Sequence, residues 1–209
     1  MAIETNVRTY RRKLYIDISR RKLREGRGSS YEFLRKRTTD MIWTDLTETL
    51  SPIKFAVIGG VATRMYMPER ATKKLDVLIV ELDAKKARIK LEQAGFTFCA
   101  ELSLLRGSTG VAPNQQEIDV LEGEEKWWSD AVVQAQTNRD GQGLPILPLP
   151  YLVLMKYQSG RAQDLADIER MLGQARDDEL KAVRTLFKKY ALDDLPDLES
   201  LIELGKLSS

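Results

Sequence analysis

The sequence contains no histidine and a single cysteine, Cys99. The absence of histidine excludes Ser-His and Cys-His nucleophilic pairs and every histidine-ligated zinc or iron site. One cysteine cannot form an intramolecular disulfide, and because Cys99 lies in an apolar segment we expect a buried structural thiol. Any chemistry must therefore use carboxylates, lysine, arginine and hydroxyl groups.

Long apolar runs are also missing. Glycine, proline or a charged residue interrupts every apolar stretch before it reaches the roughly 18 to 20 residues that a membrane span requires. No apolar segment follows the N-terminal arginines, so no secretory signal is predicted. With 43% hydrophobic and 31% charged residues, the composition is typical of a folded globular protein. We expect a cytoplasmic location and no membrane partner.

Positive charge is concentrated at the N-terminus. Residues 1–40 contain 12 Lys or Arg against 5 Asp or Glu, whereas the whole chain has a net charge of only +2. Such a segment is either a set of solvated helix faces or a contact surface for RNA or DNA. The candidate nucleic-acid contacts, all expected to be exposed, are Arg11, Arg12, Arg20 and Arg21.

Apolar periodicity divides the chain into helices and strands. Residues 3–23 have apolar side chains every three or four positions, which predicts a helix with Val7 and Leu14 packed inward. A second helix, with Leu34 packed inward, is predicted over 29–50. Strands are predicted at 55–58, 75–80, 96–100, 102–105 and 117–121. Further helices are predicted after Gly60 and at 83–94, 127–136 and 151–172, with two more up to residue 204. Residues 107–114 are predicted to form a surface loop.

This order predicts an α/β (α+β) protein, in which a mixed sheet is flanked by helices with helical extensions at both ends. We expect a basic N-terminal extension over residues 1–50 and a core over 51–150. A C-terminal helical segment over 151–209 is expected to pack on that core.

Two short patterns carry possible chemistry. The apolar strand that ends at Gly59-Gly60 is followed by a helix, a turn at which backbone N–H groups can approach a phosphate; the alternative is a sharp corner without ligand. Asp76 begins the next apolar strand, and Glu117 and Asp119 lie on one face of a later strand because side chains alternate along a strand. Carboxylates from two neighbouring strands could bind magnesium, or they could be exposed acids at strand ends.

In their order, these motifs resemble the nucleotidyltransferase superfamily, whose pattern is an apolar strand, Gly-Gly or Gly-Ser, and an Asp-x-Asp strand. The segment is most similar to AbiEii-type toxins and other minimal nucleotidyltransferase-like proteins, with Arg70, Thr72 and Asp76 matching an Arg-x-Thr-x-Asp-h-Asp pattern. Lys74 stands where the first aspartate of the pair belongs.

The resemblance implies a nucleoside triphosphate bound near Gly59, Gly60, Arg70, Thr72 and Lys74. It also implies catalysis by Asp76 and Asp119, with possible help from Glu117, and Mg²⁺ bound by Asp76 and Asp119. A later stretch, 150–167, is similar to the helix that these proteins place after the catalytic sheet. There the resemblance implies a phosphate role for Lys156, with Arg161 and Asp164 bracing the helix; the alternative is a salt-bridged surface face.

Two hypotheses follow. In the first, the chain is a nucleotidyltransferase that binds Mg²⁺ and a nucleoside triphosphate and transfers a nucleotidyl group to an unknown acceptor. In the second, it is an inactive relative that binds nucleic acid or a protein partner, in the setting of a toxin-antitoxin or phage-defence system. Lys74 is expected to point into the cleft beside Asp76 and weaken metal binding; the alternative is that it points into solvent and leaves Asp76, Glu117 and Asp119 as a working three-carboxylate site. Trp127 and Trp128 are expected to form a half-buried packing pair.

Overall fold

A computed structural model describes residues 2–22, 42–68, 72, 74–101, 107–123 and 125–208. Its contacts divide the chain into two units. The sheet unit comprises residues 32–148, and the helical unit comprises residues 1–31 and 149–209. The predicted packing of residues 151–209 on the core stays a prediction.

The sheet unit is a mixed β-sheet with flanking helices, which confirms the predicted fold class. Among the described residues its strands are β1 (Phe55–Ile58), β2 (Lys74–Val80), β3 (Thr97–Glu101), β4 (Gly107–Val111) and β5 (Glu117–Gly123). The helices are α2 (Thr47–Leu50), α3 (Gly59–Thr63), α4 (Glu81–Gln93) and α5 (Trp128–Ala135). The strand order is β1-β2-β5-β4-β3, with β2 and β5 parallel and the other neighbours antiparallel.

The central strands are held by apolar side chains on alternate positions. Leu75 and Val77 of β2 and Ile118 and Val120 of β5 are buried. Asp76 lies between the first two residues and Asp119 between the last two. One face of the sheet therefore packs into the core, and the opposite face carries charge near the start of each strand. This alternation brings the acidic residues of the two parallel strands together.

Strand β4 corrects the prediction of a surface loop at 107–114. It pairs with both β3 and β5, and its glycines permit close strand contact, because a Cβ at Gly110 would overlap the Thr97 carbonyl oxygen. The turn lies later, where Gln115 has a φ of 66°. The strand predicted at 102–105 lies outside the described residues.

The predicted second helix, 29–50, is wrong at residues 42–46, and only its last turn, 47–50, is helical among the described residues. Residues 23–41 lie outside the described residues, and 42–46 have no regular structure. The Thr44 N–H donates to Gln116 Oε1 at 2.9 Å instead of to a helix carbonyl, and the Thr47 N–H donates to Asp45 Oδ1 at 2.9 Å. These side-chain acceptors confine the helix to α2.

The helical unit contains α1 (Ala2–Lys22), α6 (Leu149–Ser159), α7 (Ala162–Gln174), α8 (Asp177–Tyr190) and α9 (Leu195–Ser208), with a 3₁₀ turn at Leu192–Asp194. The helix predicted over 151–172 is two helices, since Gly160 has a φ of +65° and breaks it. Helices α7 and α9 cross with their backbones in contact. A Cβ at Gly173 would overlap the Gly205 backbone, and one at Gly205 would overlap the Glu169 carbonyl oxygen.

Helix α1 buries a different face from the predicted one. Arg12 and Ile16 are buried, while Tyr10, Leu14 and Ile18 are exposed. The inward packing predicted for Leu14 is therefore wrong, and the side chains of Val7 and Leu34 lie outside the described residues. This orientation of α1 brings Tyr15 next to helix α7, where its hydroxyl donates a hydrogen bond to Glu169 Oε2 at 2.9 Å.

Cys99 and the tryptophan pair differ in how far they are buried. Cys99 is exposed rather than buried, because β3 is an edge strand of the sheet. Trp127 is buried and Trp128 half-buried, with ring centroids 5.7 Å apart, as expected for a packing pair. Among the residues that the structure describes, no helix is both long and apolar enough to cross a membrane.

Candidate active site

The turn after β1 is shaped around the Asp76 carboxylate. Ile58 of β1 pairs with Asp76 of β2, so Gly59 follows directly beside that carboxylate. Gly59 has a φ of +64°, and a Cβ built there would overlap Asp76 Oδ2. Glycine is therefore required both by the left-handed backbone and by the room that Asp76 needs.

Four charged residues occupy one face of the parallel strand pair. In the register of β2 and β5, Lys74 lies beside Glu117 and Asp76 lies beside Asp119. Because residues two apart on a strand point to the same face, all four side chains share that face. The register confirms that Asp76 and Asp119 face the same side of the sheet.

Lys74 lies among these carboxylates. Its Nζ is 3.5 Å from Asp119 Oδ2 and 3.9 Å from Glu117 Oε2. The Lys74 side chain is 44% exposed and that of Asp119 is 15% exposed, so the ammonium reaches from solvent toward a largely buried carboxylate. Three carboxylates and one ammonium give the face a formal charge of −2.

The second oxygen of Asp119 has a different environment. Asp119 Oδ1 is buried and has no hydrogen-bond partner among the described residues. A buried carboxylate oxygen without a donor or cation is costly. This atom is the feature of the face that best suits an additional cation or donor.

The metal arrangement implied by the family resemblance, Mg²⁺ bound by Asp76 and Asp119, stays a prediction. Across the described ranges, no group of three or more His, Cys, Asp or Glu side chains is placed to hold a metal ion. The Lys74 ammonium lies 3.5 Å from Asp119 Oδ2 and so places a positive charge beside the carboxylates. A pair of divalent ions about 3.5 to 4 Å apart would be repelled by that ammonium.

The structure describes only some of the remaining residues of the predicted nucleotide site. Gly60 is buried in α3, and its carbonyl oxygen accepts a hydrogen bond from Thr63 Oγ1 at 2.7 Å. Thr72 Oγ1 donates to the Lys74 carbonyl oxygen at 3.4 Å. Arg70 lies outside the described residues. The nucleotide-binding roles of these residues stay predictions.

Lys156 belongs to the helical unit and is not on a surface face. Its buried Nζ donates to Asp164 Oδ1 at 3.0 Å and to Asp167 Oδ2 at 2.7 Å. Burial raises the pKa of Asp164, but Lys156 and hydrogen bonds from Arg161 and Ser159 outweigh burial and hold that pKa below its ordinary value. The cluster braces the α6–α7 turn, and the phosphate role of Lys156 stays a prediction.

The basic N-terminal residues do not form one exposed set. Arg12 is 8% exposed; its guanidinium lies 4.1 Å from the centre of the Tyr157 ring and donates to the Tyr157 carbonyl oxygen at 3.3 Å. The predicted exposure of Arg12 is therefore wrong. Arg11 and Arg20 are exposed, but Arg20 donates to Ser200 Oγ at 3.0 Å. The side chain of Arg21 lies outside the described residues.

Sequence reasoning missed Thr109 as a neighbour of the site. Thr109 of β4 pairs directly with Asp119 of β5, so its side chain belongs to the acidic face. The glycine-containing segment 107–114 suggested a loop and concealed the strand. The sequence Gly-Ser-Thr-Gly-Val has no apolar alternation that would signal a strand, and the alternation of buried Ser108 and Gly110 with the less buried Gly107, Thr109 and Val111 is visible only in the structure.

Comparison with known proteins gives distant likenesses only. No family model matches the chain, and no curated protein matches it. The antibiotic-resistance factor ANT(2'')-Ia is similar in structure with a TM-score of 0.40 and 11% identity, over 74% of this chain and 82% of that one. An antigenic nucleotidyltransferase-like protein from Paracoccidioides brasiliensis gives 0.36 and 16%, over 71% and 85%.

A third similar structure is the Cid1 poly(U) polymerase, with a TM-score of 0.32 and 13% identity over 78% of this chain and 52% of that one. TM-scores of this size do not establish a shared family. The activities in these names belong to those proteins.

Proposed function

We propose that the sheet unit is a nucleotidyltransferase-like domain that does not carry out metal-dependent nucleotidyl transfer in its native form. The proposal rests on one observation, the Lys74 ammonium 3.5 Å from Asp119 Oδ2. The order of Gly59-Gly60, Asp76 and Asp119 along the chain supports the nucleotidyltransferase-like assignment. In this domain Lys74 takes the place of a metal ion.

The Lys74 ammonium would repel a divalent ion bound beside it. Two unit charges about 4 Å apart interact by about 4 kcal/mol at an effective dielectric constant of about 20, so an ion of charge +2 there would meet roughly twice that repulsion. Because the side chain is 44% exposed, Lys74 could relieve part of it by swinging into solvent. The three carboxylates still attract Mg²⁺, but the Lys74 ammonium weakens its binding, and with it the binding of a nucleoside triphosphate that needs the metal ion.

A second candidate is an active nucleotidyltransferase, which the buried, unpartnered Asp119 Oδ1 favours. In that case Lys74 turns into solvent and leaves Asp76, Glu117 and Asp119 for Mg²⁺ and a nucleoside triphosphate. The bound ion would orient the phosphates and neutralise charge on the transferred group. The acceptor would be an RNA, a protein or a small molecule.

As an inactive relative, the protein would act by binding nucleic acid or a protein partner, for example in toxin-antitoxin or phage-defence function. Of the candidate nucleic-acid contacts, Arg11 and Arg20 are exposed, so RNA or DNA binding through the N-terminal helix is proposed on these rather than on Arg12. Such binding would weaken steeply with added salt.

Isothermal titration calorimetry with MgCl₂, and then with MgCl₂ and ATP together, tests the proposal on the unmodified protein. We expect no metal-dependent binding tighter than about 1 mM, an affinity of about 4 kcal/mol. Micromolar binding that Asp119→Ala abolishes would contradict the proposal and favour the second candidate, the active enzyme. Asp130→Ala removes an exposed carboxylate on α5 and is the matched control.

A further inference from the structure

A groove of about 340 Å³ opens on the sheet unit between the loop before β1 and helix α4. It is lined by Pro52, Ile53, Asp83, Lys86, Ile89 and Lys90. None of these residues belongs to the charged face of β2 and β5. A ligand in the groove would therefore bind independently of the candidate active site.

The outer face of α4 extends the apolar surface beyond the groove. Leu82, Lys86 and Ile89 are spaced four and three apart and so lie along one face of the helix. Leu82 is 90% exposed and Ile89 is 47% exposed. A rise of 1.5 Å per residue places these two apolar side chains about 10 Å apart. Two anchors at that distance match residues i and i+7 of an amphipathic helix.

The charge around the groove selects the chemistry of that helix. Lys86 and Lys90, both in the groove lining, flank Ile89 one helical turn apart. The one carboxylate of the lining, Asp83, lies in the first turn of α4, where the helix N-terminus favours a negative charge. The groove beside Ile89 therefore favours an acidic ligand.

We propose that this groove binds an acidic amphipathic helix of a protein partner. Aliphatic side chains of the partner pack on Ile53 and Ile89 and, two turns away, on Leu82, while its carboxylates pair with Lys86 and Lys90. A small apolar ligand would fill the groove but leave Leu82 without a contact and the ammonium groups of Lys86 and Lys90 without a carboxylate partner. The proposal adds a partner surface to the proposed function and does not depend on Lys74.

Fluorescence anisotropy with a labelled peptide tests the proposal. The probe is a Leu, Ala and Glu helix of about 18 residues, roughly 27 Å long, with leucines at i and i+7. We expect it to bind the full chain and to weaken with salt. Lys86→Glu together with Lys90→Glu should weaken binding at least about tenfold, since like charges across an interface oppose association.

Two control variants distinguish binding in this groove from binding elsewhere on the sheet unit. Lys85→Glu makes the same charge change on α4 outside the groove lining and should leave the affinity within about threefold of the native value. Lys74→Asp should not change peptide binding, which distinguishes failure here from failure of the proposed function. The proposal is overturned if the peptide does not bind, if Lys85→Glu weakens it as much, or if a matched Leu, Ala and Lys peptide binds equally well.

Discussion

At the scale of single residues, Gly59 meets two requirements that no other amino acid satisfies together. Its φ is +64°, and the Asp76 carboxylate occupies the space of a Cβ. The sequence indicated the sharp corner after the strand. It could not indicate that the corner makes room for a carboxylate, because that depends on the cross-strand register of Ile58 and Asp76.

Gly59→Ala should lower the free energy of unfolding by about 1–3 kcal/mol, because it adds backbone strain and displaces Asp76. Denaturant titration followed by circular dichroism measures the change. Gly141→Ala is the matched control, since a Cβ there meets nothing within 4 Å, and it should change stability by less than about 0.5 kcal/mol. Equal stability of the two variants would show that the turn does not need glycine.

Arg12 illustrates what the sequence could not supply for single residues. It is one of several arginines on a basic helix, and nothing local distinguishes it from Arg11. Its partners are Tyr157 and, at 3.7 Å, Asp194, both more than 140 positions away along the chain. Contacts of such sequence separation bury Arg12 and leave Arg11 exposed.

At the scale of elements, the sequence predicted most helices and strands but not the orientation of α1. Helical spacing identified its apolar stripe, whereas the buried face is the one that carries Arg12 and Ile16. Polar contacts decide this orientation, including the hydrogen bond from Tyr15 to Glu169. The sequence did not indicate strand β4, because its glycines are as compatible with a loop as with closely paired strands.

The Tyr15 contact predicts how stability depends on alkaline pH. Burial, together with the Glu169 carboxylate, raises the pKa of Tyr15 to about 12. A raised pKa in the folded state means that the stabilisation is present below the unfolded pKa of about 10 and is lost as pH rises toward about 12. Tyr15→Phe should therefore show a smaller loss of unfolding free energy between about pH 10 and 12 than the native protein.

Urea titrations at several pH values measure this difference. Tyr10→Phe removes an exposed hydroxyl from the same helix and should follow the native pH profile. A Tyr15→Phe profile as steep as that of the native protein would show that the contact between α1 and α7 does not stabilise the neutral phenol.

At the scale of the whole molecule, the sequence predicted the mixed sheet and the shared face of Asp76 and Asp119. Period-two alternation and the spacing of the strands suffice for that much. The position of the Lys74 ammonium relative to Asp119 and Glu117 required the register of β2 against β5. The central claim, that Lys74 replaces a metal ion, depends on this geometry.

Lys74→Asp tests that claim most directly, with calorimetric titration of MgCl₂ as the measurement. The substitution changes the local charge by two units, and we expect Mg²⁺ affinity to rise at least about tenfold, a gain of about 1.4 kcal/mol. Asp119→Ala in that background should remove the gain, and Lys126→Asp, an exposed charge reversal elsewhere in the sheet unit, should not reproduce it. An unchanged Mg²⁺ affinity in Lys74→Asp would contradict the account.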